Sequence, residues 1–208
     1  MLLIMEHKVG GIRLKLVCNS FKLFRHYIYR PDKNAFEKGG TMNVDLELVR
    51  RARKQDASAF AMLYQDIYTE LYKFALYTLK NPHDAEDVVS EAVMDAFAGI
   101  KGLKKEESFR PWLFRILSNK CRRKLKEYVN KTAELSEELA AQEVDFVEES
   151  MVRSAFARLS DEERMIIALH LFCGYKSREI GEILHMHDGT VRSKESRALQ
   201  KMAAMLEE

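Results

Sequence analysis

The stretch Ser177-Arg178-Glu179-Ile180-Gly181-Glu182-Ile183-Leu184-His185-Met186-His187-Asp188-Gly189-Thr190-Val191-Arg192-Ser193-Lys194 holds two helical patterns separated by only a few residues. In the first, Ile180, Ile183 and Leu184 recur at three- and four-residue steps and face inward from a short helix. The second spans residues 188–206 with Val191, Ala198, Met202 and Leu206 inward. Two helices joined by a tight turn have the layout of a helix-turn-helix, whose second helix enters a DNA major groove about 12 Å wide. Its leading exposed residues must then be small, polar or basic. Thr190, Arg192, Ser193, Lys194, Ser196 and Arg197 meet that need, while Val191 anchors the helix. Arg192 or Lys194 suits guanine edges, and Thr190, Ser193 and Ser196 suit phosphates, although sequence does not sort them. By periodicity alone, any three-helix bundle competes equally with this reading.

Upstream, Val152, Phe156 and Leu159 open the same helical bundle. Ser160-x-x-Glu163 forms a capping box for a helix carrying Ile166, Leu169 and Phe172, and Gly174 is placed to end it. Residues 128–150 differ, with seven acidic residues against Lys131 alone and weak periodicity. This is either a flexible connector or a poorly packed helix. As coil it spans roughly 25 to 30 Å, and at full extension no more than about 80 Å.

The first half is helical as well. Leu46 and Val49, then Phe60, Leu63, Ile67, Leu71, Phe74 and Thr78, define one buried stripe. Asn81 is an N-cap and Pro82 fits the first turn of the next helix, whose Asp84, Glu86 and Asp87 suit the positive N-terminal dipole. Its apolar face continues through Val88, Ala92, Val93, Ala96 and Ile100. After a loop bracketed by Gly99 and Gly102, a third helix runs to about Glu127 with Phe109, Trp112, Leu113, Ile116 and Leu117 on its apolar side. Three helices thus form a first domain.

Charge is segregated along the chain behind a net value of only +2. Residues 43–100 carry 6 basic and 10 acidic side chains, whereas residues 101–126 carry 10 basic and 2 acidic ones. Asp84, Asp87 and Glu91 lie at i, i+3 and i+7, so they share a helix face that can meet a basic partner. Dipole stabilisation alone accounts for Asp84 and Asp87 but not for Glu91. In the basic block, Lys104 and Lys105 of the loop join Arg110, Asn119, Lys120, Arg122, Arg123 and Lys126 of the third helix. Together they suit the backbone and unpaired bases of single-stranded DNA. Phe109 and Trp112 have the spacing of core residues rather than of a stacking platform.

Composition narrows the classes further. Only 9 glycines and 3 prolines among 208 residues argue for an all-α fold: two small helical domains joined by an acidic linker, the C-terminal one a helix-turn-helix. Cys18, Cys121 and Cys173 are odd in number and far apart, which suits a reducing cytoplasm and indicates no disulfide framework. No apolar run approaches the length of a membrane span, so no membrane insertion is expected. His170-x-x-Cys173 and His185-x-His187 lie on separate elements, a poor warrant for zinc, and neither a metal nor another cofactor is expected. The chain has no phosphate-binding glycine loop and no nucleophile–base pattern, so it is not expected to be an enzyme. Residues 1–42 are an atypical extension with loose alternation at Ile12, Leu14 and Leu16. Codons for Lys38-Gly39-Gly40 can spell a purine-rich ribosome-binding site just before Met42, so translation is expected to start there, with a basic arm as the rival reading.

Across residues 45–206 the chain resembles the extracytoplasmic-function group of bacterial sigma factors. The C-terminal resemblance lies in Leu159-Ser160-x-x-Glu163-Arg164, Ser177-x-Glu179-Ile180-Gly181-Glu182-Ile183-Leu184 and Gly189-Thr190-Val191-Arg192-Ser193 with Arg197-Ala198. It implies a domain, residues 151–208, for the minus-thirty-five promoter element. Asp84-Ala85-Glu86-Asp87-Val88-Val89 through Phe97 is similar to the family's polymerase-clamp helix. Phe109-x-x-Trp112-Leu113-x-x-Ile116-x-x-Asn119 with Arg122 and Arg123 is similar to its helix for melting and holding the minus-ten element. Residues 43–127 are then the polymerase and minus-ten domain, and residues 128–150 the linker.

The implied partners are core RNA polymerase through its β′ clamp and β flap, promoter DNA, and an anti-sigma factor. The sequence departs from the family at the turn. His185 stands where glycine is usual, His187 where serine is usual, and Gly181 where alanine is usual. This implies mild strain at His185 and a helix weakened by about 1 kcal/mol at Gly181. The alternative function is a helix-turn-helix regulator that dimerises through its N-terminal helices and binds duplex DNA unaided.

Overall fold

In a computed structural model the described residues are 5–9, 12–16, 44–134 and 150–206. Side chains are described for 44–130 and 154–202. Two compact units are separable, residues 1–40 and residues 41–208. In the first, β1 (Met5–Val9) and β2 (Ile12–Leu16) pair antiparallel with Met5 opposite Leu16 and Val9 opposite Ile12. The loose alternation at Ile12, Leu14 and Leu16 is thus the second strand of a hairpin, an element the sequence reading did not assign. The start-site expectation concerns residues mostly outside those described.

The second unit is all-α, with eight helices among the described residues: α1 (Leu46–Arg53), α2 (Ala57–Leu79), α3 (Pro82–Gly99), α4 (Phe109–Glu134), α5 (Ser150–Ala157), α6 (Asp161–Cys173), α7 (Ser177–Leu184) and α8 (Asp188–Leu206). The expected first stripe is split into α1 and α2. Gln55 takes a left-handed conformation at φ 67°, and Asp56 caps α2 by accepting from the backbone N–H of Ser58 and Ala59. The Asp56-x-Ser58 signal for this break is present in the sequence. Asn81 caps α3 with Pro82 in its first turn, Ser160 and Glu163 complete the capping box of α6, and Gly174 closes α6 at φ 69°. Helix α4 runs to Glu134, seven residues beyond the expected end at Glu127.

The first half packs α2 against α3 and α4, and Phe60, Leu63, Ile67, Leu71, Phe74 and Thr78 are all buried as expected. Each such large apolar side chain contributes about 1.5 to 3 kcal/mol on burial. Phe109 is buried edge-on against Phe60, and Trp112 is half-buried beside it, so both serve packing. In the second half α8 lies across α5, α6 and α7, with Val191, Ala198 and Met202 inward. The two halves also meet, α2 on α6 and α4 on α7.

The three departures at the turn form one device. His185 adopts φ 56° and ψ 45°, so the left-handed cap is made by a residue with a Cβ, at a cost of about 1 to 2 kcal/mol. The chain then folds back so tightly that a Cβ on Gly181 would stand 2.7 Å from the Met186 carbonyl oxygen. Glycine at 181 is therefore required by this turn and is not merely a weak helix former. His187 does what serine usually does, its Nδ1 accepting from the Gly189 N–H at 3.2 Å.

Gly181→Ala should therefore destabilise the protein by about 1 to 3 kcal/mol despite alanine's higher helix propensity, read as a lower urea midpoint; an increase would contradict the close approach. Asp56→Ala should cost about 1 to 2 kcal/mol at neutral pH. The Ser58 hydroxyl, the Arg51 guanidinium and the Ala59 N–H hold the Asp56 carboxyl well below its ordinary value of 3.8. Its contribution is thus full above that value and lost as pH falls below it, so wild type and variant should converge in urea titrations repeated in increasing acid.

Candidate nucleic-acid interface

Helix α4 supplies most of the basic block, and its register divides the cations between two neighbours. One row faces α3. Lys120 Nζ lies 3.1 Å from Glu91 and 2.7 Å from Asp95, Arg123 Nη2 lies 2.8 Å from Glu91, and Lys124 Nζ lies 2.7 Å from Asp84. The Tyr128 hydroxyl also donates to Asp84. The hydrogen bond that Lys124 itself makes to Asp84, with the negative charges of Asp84, Glu127 and Asp87, raises the Lys124 pKa above its ordinary value. Of the acidic face read from the sequence, Asp84 and Glu91 are thus partnered within the chain, and Asp87 is exposed. The first basic partner of that face is the protein's own fourth helix.

The second row points to α7. Arg122 Nη2 donates to the Leu184 carbonyl at 2.8 Å and its Nη1 reaches Asn119 Oδ1 at 3.4 Å, while Arg115 Nη2 donates to the Glu182 carbonyl at 3.1 Å. Arg110 is buried and paired with Glu70. Burial is the first cause acting on Glu70 and raises its pKa, with Arg110 opposing. The expected groove is therefore not one continuous cationic surface. Lys104, Lys105 and Lys126 stand exposed, Arg123 is exposed beside its ion pair, and the remaining cations are held by intrachain partners. Arg115 was missed in the sequence, although its i, i+7 relation to Arg122 places both on one helical face.

On the helix-turn-helix, Thr190, Arg192, Ser193, Ser196 and Arg197 form the exposed face of the first turns of α8. Arg192 Nη1 lies 3.1 Å from Asp188, which orients it along the helix, and Arg197 donates to the Ser193 carbonyl and hydroxyl. Lys194 differs from the rest. Its ammonium lies 2.7 Å from Glu162 of α6 and its side chain is partly covered, so in this arrangement it braces the recognition helix rather than joining the open face. Arg178, exposed at the start of α7, is a cation that the sequence reading did not select and lies 3.6 Å from Glu182 one turn on.

Comparison with known proteins follows the same division. Sigma-70 region 2 matches residues 63–129, and Sigma-70, region 4 matches residues 149–202. The chain is 28% identical over 165 residues to the ECF RNA polymerase sigma factor SigM of Mycobacterium tuberculosis, covering 78% of this chain and 84% of SigM. It is 27% identical over 182 residues to the ECF RNA polymerase sigma factor SigW of Bacillus subtilis, covering 76% of this chain and 94% of SigW. In fold it is similar to CnrH solved with the cytosolic domain of CnrY, at 23% identity and a TM-score of 0.62 over 79% of this chain and 97% of the other. RpoE solved with the anti-sigma factor NepR from Bartonella quintana gives the same TM-score and identity over 73% and 98%.

The pairing pattern separates two kinds of lysine. Lys104→Ala with Lys105→Ala should weaken binding to single-stranded DNA and lower the slope of log affinity against log salt by about 1.4, at roughly 0.7 per phosphate contact. Lys120→Ala should leave that slope unchanged and instead lower stability by about 1 kcal/mol, because it releases Glu91 and Asp95. Fluorescence anisotropy at several salt concentrations, beside urea unfolding, reads both; equal slope changes for the two variants would refute the division.

Proposed function

We propose, from the premise that this chain belongs to the sigma-70 family of RNA polymerase sigma factors and to its extracytoplasmic-function group, that it binds core RNA polymerase and directs promoter recognition, promoter melting and initiation. Residues 43–127 are assigned to polymerase and the minus-ten element, with α4 extending to Glu134, and residues 151–208 to the minus-thirty-five element. Residues 128–150 connect them. The observation that carries the reading is the order of two parts in one chain: a helix rich in cations, followed by a helix-turn-helix that presents Thr190, Arg192, Ser193, Ser196 and Arg197 together.

Each part fits its task by elementary electrostatics and shape. The exposed polar and basic face of α8 matches base edges and phosphates of a major groove. Lys104, Lys105, Lys126 and Arg123 provide a cationic track for a melted strand, and Asn119 at the surface supplies an amide for a base edge. Asp87, exposed on α3 between the paired Asp84 and Glu91, is the residue of the acidic face most available to a basic polymerase surface. Polymerase contacts at the β′ clamp and β flap belong to this proposal. An anti-sigma factor is proposed as a further partner, by the likeness of fold to RpoE in its complex with NepR.

The protein family acts in transcription initiation without chemistry of its own, and the phosphodiester synthesis belongs to the polymerase. Among the described residues no helix is long and apolar enough to cross a membrane. We place the protein in the cytoplasm, where polymerase and promoter DNA are.

Run-off transcription with core polymerase, on the DNA upstream of this protein's own gene, tests the proposal. Specific initiation should appear with the wild type and fall at least tenfold with Arg122→Ala/Arg123→Ala, the melting-surface pair. Binding to duplex DNA without any binding to core polymerase would replace the sigma reading with that of a conventional helix-turn-helix regulator.

A further inference from the structure

Helix α8 carries a carboxylate in its inward stripe. Val191, Ala198 and Met202 are buried at steps of seven and four residues, and Glu195 divides the longer step, four residues after Val191 and three before Ala198. Its side chain is only 13% exposed, and an acid so placed is costly unless it is paired and hydrogen-bonded. Its partners come from two neighbouring helices. On α6, Nδ1 of His170 lies 3.1 Å from Oε1, and on α7 the Ser177 hydroxyl donates to Oε2 at 2.8 Å. The same Nδ1 faces the Tyr175 carbonyl at 3.4 Å, so with two acceptors before it this nitrogen carries a proton. Glu195 thus ties α8 to the end of α6 and to the start of α7 at once. Two lysines extend the tie along α6: Lys194 Nζ lies 2.7 Å from Glu162, and Lys201 Nζ lies 2.8 and 3.0 Å from the two carboxylate oxygens of Glu163.

An apolar side chain would serve burial better at this position. Replacing a buried ionic group by an apolar one of similar volume is commonly neutral or stabilising, so stability does not explain the carboxylate. What it adds is direction. Apolar packing tolerates small slides and rotations of a helix, whereas hydrogen bonds from two helices to the two oxygens of one carboxylate hold at a single rotation and height. Rotation matters on α8, because Thr190, Arg192, Ser193, Ser196 and Arg197 occupy the exposed side of the same two turns and must meet base edges and phosphates together. We infer that Glu195, on the side of α8 away from that face, is a positioning residue for promoter recognition. Through His170 and Ser177 it fixes the rotation and height at which α8 presents its exposed face, and it serves discrimination between DNA sequences instead of stability. The inference rests on the sigma reading above for the ligand, but not for the geometry.

The test uses the full chain bound to core polymerase. Fluorescence anisotropy compares its affinity for the DNA upstream of this protein's own gene with that for a duplex of the same composition in shuffled order. Glu195→Leu should lower this ratio about tenfold or more, the discrimination of one good base contact, while affinity for the shuffled duplex and the urea midpoint of the free chain stay at or above their wild-type values. Glu195→Gln, whose side-chain carbonyl still accepts from Ser177, should stay within about threefold of the wild type. Spin labels at Leu171→Cys on α6 and Leu199→Cys on α8, both exposed, report the placement of α8 without DNA, in a Cys18→Ser background with Cys121 and Cys173 buried. Their distance distribution should be narrow with Glu195 or Gln at this position, and displaced or broadened in Glu195→Leu. Unchanged discrimination or unchanged label distances in Glu195→Leu, a lowered urea midpoint in that variant, or an equal loss in Glu195→Gln would each overturn the positioning role. A wild type that binds both duplexes equally would overturn the sigma reading, and the label distances would still decide the geometry.

Discussion

Everything in the helical unit leans on α4. Phe109, Leu113, Phe114, Leu117 and Cys121 are buried along one side of it, so its rotation about its own axis is fixed by packing. Once that rotation is fixed, the cations that share the helix have no choice of direction. Lys120, Arg123 and Lys124 fall toward the acidic α3, and Arg115 and Arg122 toward the carbonyl end of α7. A dense basic segment, which in isolation would repel itself and attract any polyanion, is thereby divided into a partnered part and an exposed part.

The energetic character of these pairs differs with their surroundings. Arg123 is exposed, so its pair with Glu91 is screened by water and contributes little to stability. Lys120 is mostly covered while touching two carboxylates, and Lys124 is partly covered beside Asp84 and Tyr128, so these two orient α3 on α4. Arg110 and Arg164 are buried outright, and each has a carboxylate partner. Removing one member of such a pair leaves a charge without compensation, which costs far more than the pair itself contributes. Buried arginines therefore set geometry, and exposed lysines remain for a partner.

The helix-turn-helix illustrates a compensated departure. His185 in a left-handed cap is unfavourable, but the tight return it permits brings Met186 over Gly181, and the His187 ring then caps α8. None of the three residues is explicable singly. Glycine at 181 looks like a weak point until the carbonyl above it is seen, and histidine at 187 looks unrelated to capping until its Nδ1 is placed beside the Gly189 N–H.

The sequence by itself determined the all-α class, the capping signals at Asn81, Ser160 and Gly174, the inward faces of α2, α6, α7 and α8, and the likeness to sigma factors. These are local properties, set by helical periodicity and by the chemistry of helix ends, and they survive in any context. It also held, unread, the Asp56-x-Ser58 break between α1 and α2 and the Arg115–Arg122 spacing. Only the tertiary structure decided which charges meet. The acidic face of Asp84, Asp87 and Glu91 and the basic residues of α4 that meet it are about 30 to 40 residues apart in sequence, so nothing local tells whether they seek each other or outside partners. The same holds for Lys194 on Glu162 and for the arginines that cap helices across the two halves. Coulomb attraction and hydrogen bonding act through space, and the distances they depend on exist only once the helices are packed.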